Sequence, residues 1–332
     1  MELKGIHHIT SITSDALKIY NFFTVILGLR LVKKTINQDD VNTYHLFFAD
    51  KYGNPGTDIT FFDFKGIKKG IHGNNSINRT SFIVPNEEAL NYFIKRFNHY
   101  NVSHQGISTL FNKKIVYFND FDGALYALVS DDLKGNSNTI NSWENSPVPN
   151  QYQITGLGPV FINVSKYEDM DYILTKILNM RQTSMIGNLF LYEMGKGGNN
   201  ASLIINYNEK NSISYQGYGS VHHLAFRVGN RDDLIKWIYK LNELGIMHSG
   251  FIDRFYFYSV YVRLYLNILF ELATDEPGFI DDEENFDTLG DTLALPPKFR
   301  EHRQYIESII KPLNTKKSSY KYEKEYFDEK PK

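Results

Sequence analysis

Apolar residues recur four times along the chain at the spacing of a one-sided helix. Ile19, Phe22, Phe23, Ile26 and Leu27 fit a helix with a single apolar face. Leu90, Phe93, Ile94 and Phe97 repeat the pattern, as do Met170, Ile173, Leu174, Ile177 and Leu178, and then Leu234, Trp237, Ile238 and Leu241. Gly28 and Gly245 follow the first and fourth stretches and Asn101 follows the second. Both residue types tolerate the left-handed conformation that ends helices. A short strand-like run precedes each helix: 8–13, 79–84, 159–164 and 223–228. Further alternating or apolar runs follow each helix, closing on DITFFDF, ALYALV, ASLIINY and NILFELA. The predicted unit is therefore βαβββ, present four times.

The fold class is α+β, with the four modules in two domains. Residues 1–140 hold the first pair and 150–312 the second. The polar, proline-containing stretch 133–153 reads as the linker between them. Residues 313–332 are highly charged and predict a solvated, disordered tail.

Composition narrows the function. A chain of 332 residues suits two domains, and its hydrophobic fraction of 42% fills real cores. No apolar run is long enough to span a bilayer, and Met1 leads straight into a patterned strand with no signal peptide. The net charge of −2 comes without a dense Lys/Arg block, so neither nucleic acid nor membrane is an expected partner. There are no cysteines, which excludes disulfides, thiolate catalysis and Cys-ligated metal and suits the cytoplasm. The 23 Tyr and 24 Phe are enough to build cores and still line a pocket for a flat ligand.

The candidate chemistry lies in two His-His pairs, in GIHHIT and SVHHLAF. Neighbouring side chains of a strand point to opposite faces. In the fourth unit Leu224, Phe226 and Val228 share the helix-facing parity with His222, which turns His223 to the concave side. Aligning the first unit by its helix places His8 where His223 stands. His7 and His222 are then packing neighbours on the other face. Glu271, between Phe270 and Leu272, is an acid in an apolar strand and must be paired or metal-bound. The spacing from His223 to Glu271 recurs from Arg79 to Ala127 and, within one residue, from Pro159 to Asn206; in the first unit a longer loop brings it to Phe62. Two imidazoles and one carboxylate survive: His8, His223 and Glu271. That set matches the facial triad of non-haem Fe(II), which leaves coordination positions open. A Glu271 hydrogen-bonded to Tyr or Arg is the competing account. If the three meet, the first module must pair with the fourth and the second with the third. His45, His72, His99, His104, His248 and His302 are read as ordinary hydrogen-bonded residues.

Beyond these residues, GIHHIT, ILGLRLVKKT, YHLFFAD with GNPGT, NSPVP, VHHLAF and LFELATD resemble the vicinal-oxygen-chelate (glyoxalase/bleomycin-resistance/dioxygenase) superfamily over residues 1–310. Within it the sequence is similar to hydroquinone ring-cleaving dioxygenases. The resemblance implies half-barrel-like mixed sheets and Fe(II), with Mn(II) as the alternative, held by His8, His223 and Glu271. It also implies pocket roles for Arg254 and Tyr261, a near-site role for His222, and a small aromatic substrate with O2. A homo-oligomer is compatible with it. One departure is RLYLNILFE, where relatives carry a Pro-Gly-Gly type turn before the last strand. The alternatives are a glyoxalase-type metal-dependent isomerase and a non-catalytic aromatic-binding resistance protein.

Overall fold

The computed structural model describes residues 1–131, 142–280 and 283–327. The first module comprises β1 (Ile6–Ile12), α1 (Ala16–Asn21, continued by a π-helical turn, Phe22–Ile26), β2 (Arg30–Asn37), β3 (Asp40–Ala49) and β4 (Asp58–Phe62). The second comprises β5 (Ser76–Val84), α2 (Glu87–His99), β6 (His104–Leu110), β7 (Lys113–Asn119) and β8 (Leu125–Ser130). After a short β9 (Gly156–Leu157), the third runs through β10 (Val160–Val164), α3 (Tyr167–Tyr172, with a π-helical turn Ile173–Ile177), β11 (Arg181–Ile186), β12 (Leu189–Glu193) and β13 (Ser202–Tyr207). The fourth holds β14 (Ser220–Val228), α4 (Arg231–Glu243), β15 (Ile252–Asp253), β16 (Phe257–Tyr265) and β17 (Ile268–Pro277). Asp15, Asn86 and Asn230 cap α1, α2 and α4, each accepting from a backbone N–H of the first turn.

Strand order decides where the modules meet. One curled mixed sheet runs β15-β16-β17-β14-β1-β4-β3-β2, and the other β11-β12-β13-β10-β5-β8-β7-β6. Module one therefore joins module four, and module two joins module three, as a shared site requires. Each sheet takes one module from each half of the chain. The helices pack between the sheets: the Phe23 ring meets Phe48 and Phe61 of the first and Phe82 and Tyr126 of the second. One apolar core joins the two.

Two polar segments differ from expectation. Part of the stretch read as a linker, residues 133–141, lies outside the described residues. Its remainder is packed, with Trp143, Ser146 and Val148 buried and the Ser146 hydroxyl donating to Gly28 O at 2.8 Å. The charged tail, over 313–327, lies on the body instead of in solvent. Tyr322 N donates to Asn145 O and Glu325 N to Pro147 O, both at 2.9 Å, and Thr315 and Ser318 are fully buried. The physical reason is Arg96, a buried guanidinium on α2. It donates to the carbonyls of Val25 and Ile26, and its remaining charge is met by Glu325 at 2.7 Å. Composition alone does not reveal a buried cation waiting for a tail carboxylate.

Asp58, at the start of β4, is fully buried, and neither carboxylate oxygen has a hydrogen-bond partner. Burial, with the charge of Asp50 added, holds its pKa well above the ordinary carboxylate value. The folded state thus grips this proton harder than the unfolded chain does. That contribution is full below the unfolded pKa of 3.8 and is lost as pH rises toward the folded value. Asp58→Asn removes the dependence. Its melting advantage over the parent is expected to widen between about pH 5 and pH 8, by up to about 1.4 kcal/mol per pH unit. Melting curves across that range check it; a constant difference refutes it.

Candidate functional site

β1 and β14 pair antiparallel at the middle of the first sheet, and each His-His pair sits on a β-bulge. The register steps from Ile6↔Phe226 to His8↔Ala225, which leaves His7 as an extra residue, and from Thr10↔His223 to Ser11↔Val221, which leaves His222 as another. A bulge breaks strict alternation. The members of each pair therefore do not part to opposite faces. His222 lines the cavity alongside His223, and its Nδ1 lies 2.8 Å from His223 Nδ1; His7 Nδ1 lies 2.9 Å from His8 Nδ1. The reading of His7 and His222 as neighbours on the far face is corrected on this ground.

The bulges fix a tautomer. His7 Nε2 lies 2.9 Å from the carbonyl of Thr274, which can only accept, so this nitrogen carries the proton. Burial lowers the His7 pKa to about 3, so the ring is neutral and its Nδ1 accepts from His8 Nδ1–H. The Nε2 lone pair of His8 is thereby turned inward. Burial likewise lowers His222 to about 3, and His223 Nδ1 sits against its Nδ1 in the matching arrangement.

Glu271 reaches the same point from β17, whose parallel pairing with β14 sets it beside Ala225. Its Oε2 is 3.2 Å from His8 Nε2 and 3.0 Å from His223 Nε2, and the two Nε2 atoms are 3.4 Å apart. All three residues are buried, and their ligand atoms lie within 4.8 Å of one another. The Ser259 hydroxyl donates to the other oxygen, Oε1. Burial alone would raise the Glu271 pKa, but a proton on the inward Nε2 of either histidine, whose place a metal cation would take, outweighs it and holds the carboxyl ionised, well below its ordinary value. Two imidazole nitrogens and a carboxylate oxygen converge with no apolar group between them. Buried charge of this kind is retained where it is paired or holds a cation, and this donor set fits a divalent metal.

Above the cluster lies a cavity of about 470 Å³. Its walls are largely aromatic, with Phe47, Phe62, Phe64, Tyr256 and Phe257, the last 5.1 Å from the His8 ring. Arg254 and Tyr261 both line it, as the resemblance implied. Arg254 Nε–H donates to the Tyr261 hydroxyl at 3.3 Å, while its terminal nitrogens hold Asp39 at 3.0 and 3.3 Å. Burial and the charge of Glu271 push the Tyr261 hydroxyl well above its ordinary pKa, so it stays protonated. The departure in RLYLNILFE resolves into a tight turn at Leu266–Asn267 between β16 and β17, with Leu266 at φ +44°.

Strand register corrects one equivalence. Ala225 pairs with Glu271 in module four, and Thr10 pairs with Thr60 in module one. The counterpart of Glu271 is therefore Thr60, not Phe62, and in module three it is Ile204, not Asn206. Counting residues across loops of unequal length missed the true partner by two. In the second sheet the corresponding place is filled by Ala127, Phe161 and Ile204. Ser259, Thr10, Thr60 and His45 also belong to the site and were not found in the sequence. The signal for His45 was a polar residue on the face of β3 it shares with Phe47. Nothing marked the hydroxyls.

Four βαβββ modules are paired around a buried two-histidine, one-glutamate cluster beneath an aromatic cavity, a donor set that fits a metal. The family model of the Glyoxalase/Bleomycin resistance protein/Dioxygenase superfamily matches residues 156–278. A Bacillus subtilis protein assigned as a ring-cleaving dioxygenase, MhqA, is 40% identical over 94% of this chain and all of its own length. The chain belongs to this superfamily. It is also 29% identical to the chlorohydroquinone/hydroquinone 1,2-dioxygenase of Sphingobium indicum, over 89% of this chain and 92% of that protein. A crystal structure of a Bacillus subtilis protein assigned as a dioxygenase superposes with a TM-score of 0.86, at 32% identity over 94% of this chain and 98% of that one.

Proposed function

We propose that the protein is an Fe(II)-dependent dioxygenase that opens the ring of a hydroquinone- or catechol-type substrate with O2. The observation that carries this is the convergence of His8 Nε2, His223 Nε2 and Glu271 Oε2 at the floor of an aromatic-walled cavity. The names of the relatives point the same way. His8, His223 and Glu271 hold the metal, with Mn(II) the alternative to Fe(II). A metal there supplies Lewis acidity toward a ring hydroxyl and open positions for O2.

The chain's own groups do the rest. Phe47, Phe62 and Phe257 hold a flat ring and keep bulk water away from it. Arg254, paired with Asp39 at 3.0 Å, faces the ring and stabilises negative charge developing on a substrate oxygen. The Tyr261 hydroxyl accepts from Arg254 and is hydrogen-bonded to Glu271; with Glu271 engaged by a metal, its proton would turn to that oxygen. His222 also lines the cavity, where its Nε2 can exchange a proton with substrate. A glyoxalase-type isomerase is not supported by the site. Those enzymes use a second acidic ligand, and the position equivalent to Glu271 is the neutral Thr60.

The test is anaerobic loading with Fe(II), metal analysis, and oxygen uptake with hydroquinone, methylhydroquinone and catechol. One metal per chain and O2 consumption with ring opening are expected. Isomerase activity with Zn or Ni and no O2 uptake, or a stoichiometric aromatic complex without metal, would overturn the reading.

A further inference from the structure

One string of side chains leaves the ligand cluster and returns to the cavity wall by another route. His223 Nε2 lies 2.9 Å from Thr10 Oγ1, Thr10 Oγ1 lies 2.8 Å from Thr60 Oγ1, and Thr60 Oγ1 lies 2.9 Å from His45 Nε2. Thr10 and Thr60 are fully buried. His45 is half-buried and lines the cavity, held between Phe47 at 4.0 Å and Phe62 at 4.4 Å between ring centroids. Its Nε2 is taken by Thr60, so Nδ1 is the nitrogen left to face the cavity. The string runs through Thr60, the position at which the pseudo-symmetry would place a second acid.

We propose that Thr10, Thr60 and His45 form a proton-conducting string between the ligand cluster and the substrate cavity, with His45 as the group that meets substrate. The inference rests on the metal-dependent reading above. A hydroxyl both donates and accepts, so two threonines in series pass a proton by turning. Burial together with the neighbouring histidines and Arg254 keeps the His45 ring neutral. A neutral ring carries one proton and one lone pair, and it can take a proton at one nitrogen while releasing one at the other.

The transfer balances. A substrate O–H breaks as His45 Nδ1–H forms. His45 Nε2–H breaks as a Thr60 O–H forms, Thr60 passes its own proton to Thr10, and Thr10 passes its own to the co-substrate oxygen, O2 in the proposed reaction, as the substrate reduces it. His45 begins and ends neutral, its proton moved from Nε2 to Nδ1, and exchange with water after product departure resets it. Metal loading engages the lone pair of His223 Nε2, so the near end of the string changes partner when the cluster is filled.

Thr60→Val keeps the shape and cuts the string, and Thr60→Ser keeps the hydroxyl. In the loaded enzyme Thr60→Val is expected to lower kcat about 100-fold with KM and metal content little changed. The solvent isotope effect should change from a multi-proton dependence on deuterium fraction to a single-proton one, and Thr60→Ser should restore both. A second readout needs no turnover. Zn(II) binding should shift the His45 ring nitrogen resonances in the parent chain and in Thr60→Ser but not in Thr60→Val. Parent-like kcat and isotope effect in Thr60→Val, or equal Zn(II)-induced His45 shifts in both chains, overturns the string while leaving the metal site standing. A parent chain that binds no metal overturns the metal reading first, and this inference with it.

Discussion

Glu271→Gln is expected to abolish oxygen uptake and to lower metal affinity by well over tenfold. The carboxylate is the one anionic member of the cluster, fully buried, and its Oε2 faces both imidazole Nε2 atoms. An amide of the same shape keeps the packing and removes the charge. Loss of outer partners of metal ligands alone costs about 10–100-fold in affinity, and loss of a charged ligand costs more. Thermal melting gives a check that is independent of turnover. A ligand that binds only the folded state raises stability with concentration, so added Fe(II) under anaerobic conditions should raise the Tm of the parent and not that of Glu271→Gln. Equal metal content and equal O2 uptake in the two chains would sink the assignment of all three ligands.

Ending the chain at Pro312 has the largest expected effect on stability. It removes Glu325, the anion at 2.7 Å from the buried guanidinium of Arg96, together with the fully buried Thr315 and Ser318. It also removes Lys324, whose ammonium donates to the carbonyls of Glu144, Ser146 and Val148. Stripping one partner from a buried ion pair costs about 3–5 kcal/mol, and partial exposure of Glu325 lowers that to about 2–3 kcal/mol. With the lost packing added, a Tm decrease of about 5–10 °C is expected. Glu325→Gln isolates the charge and should account for roughly half of the decrease. The cluster is built by other elements, so metal content in the truncated chain should match the parent's. A truncated chain with the parent's Tm would show that the tail merely rests on the body.

The four helices and the strands before and after them were legible because each buries one face. Ile19, Phe22, Phe23, Ile26 and Leu27 follow the helical period, and the structure places the first four on α1 and its π-helical turn and Leu27 at the turn's C-terminal cap. His8, His223 and Glu271 were legible because the repeat let each be compared with apolar counterparts in other modules. The pairing of modules followed from requiring those three to meet.

What the sequence withheld shares one cause. Alternation and residue counting assume unbroken strands and equal loops. The bulges at His7 and His222 break the first assumption, and the longer loop of module one breaks the second. Whether a strand bulges depends on the partner across the ladder, and no periodicity within the strand records that partner. Thr10, Thr60, Ser259 and His45 are polar residues in otherwise ordinary strands, and their meaning comes from what lies within 3 Å of them. The tail was misread for a related reason: its charges looked solvated until Arg96 was found buried beneath them. The sequence by itself determined the modules and their order, because burial of an apolar face is a local requirement, and it singled out the three polar residues that converge. Only the tertiary structure decided the tautomers, the hydroxyl string and the docked tail, because each is a contact between elements distant along the chain.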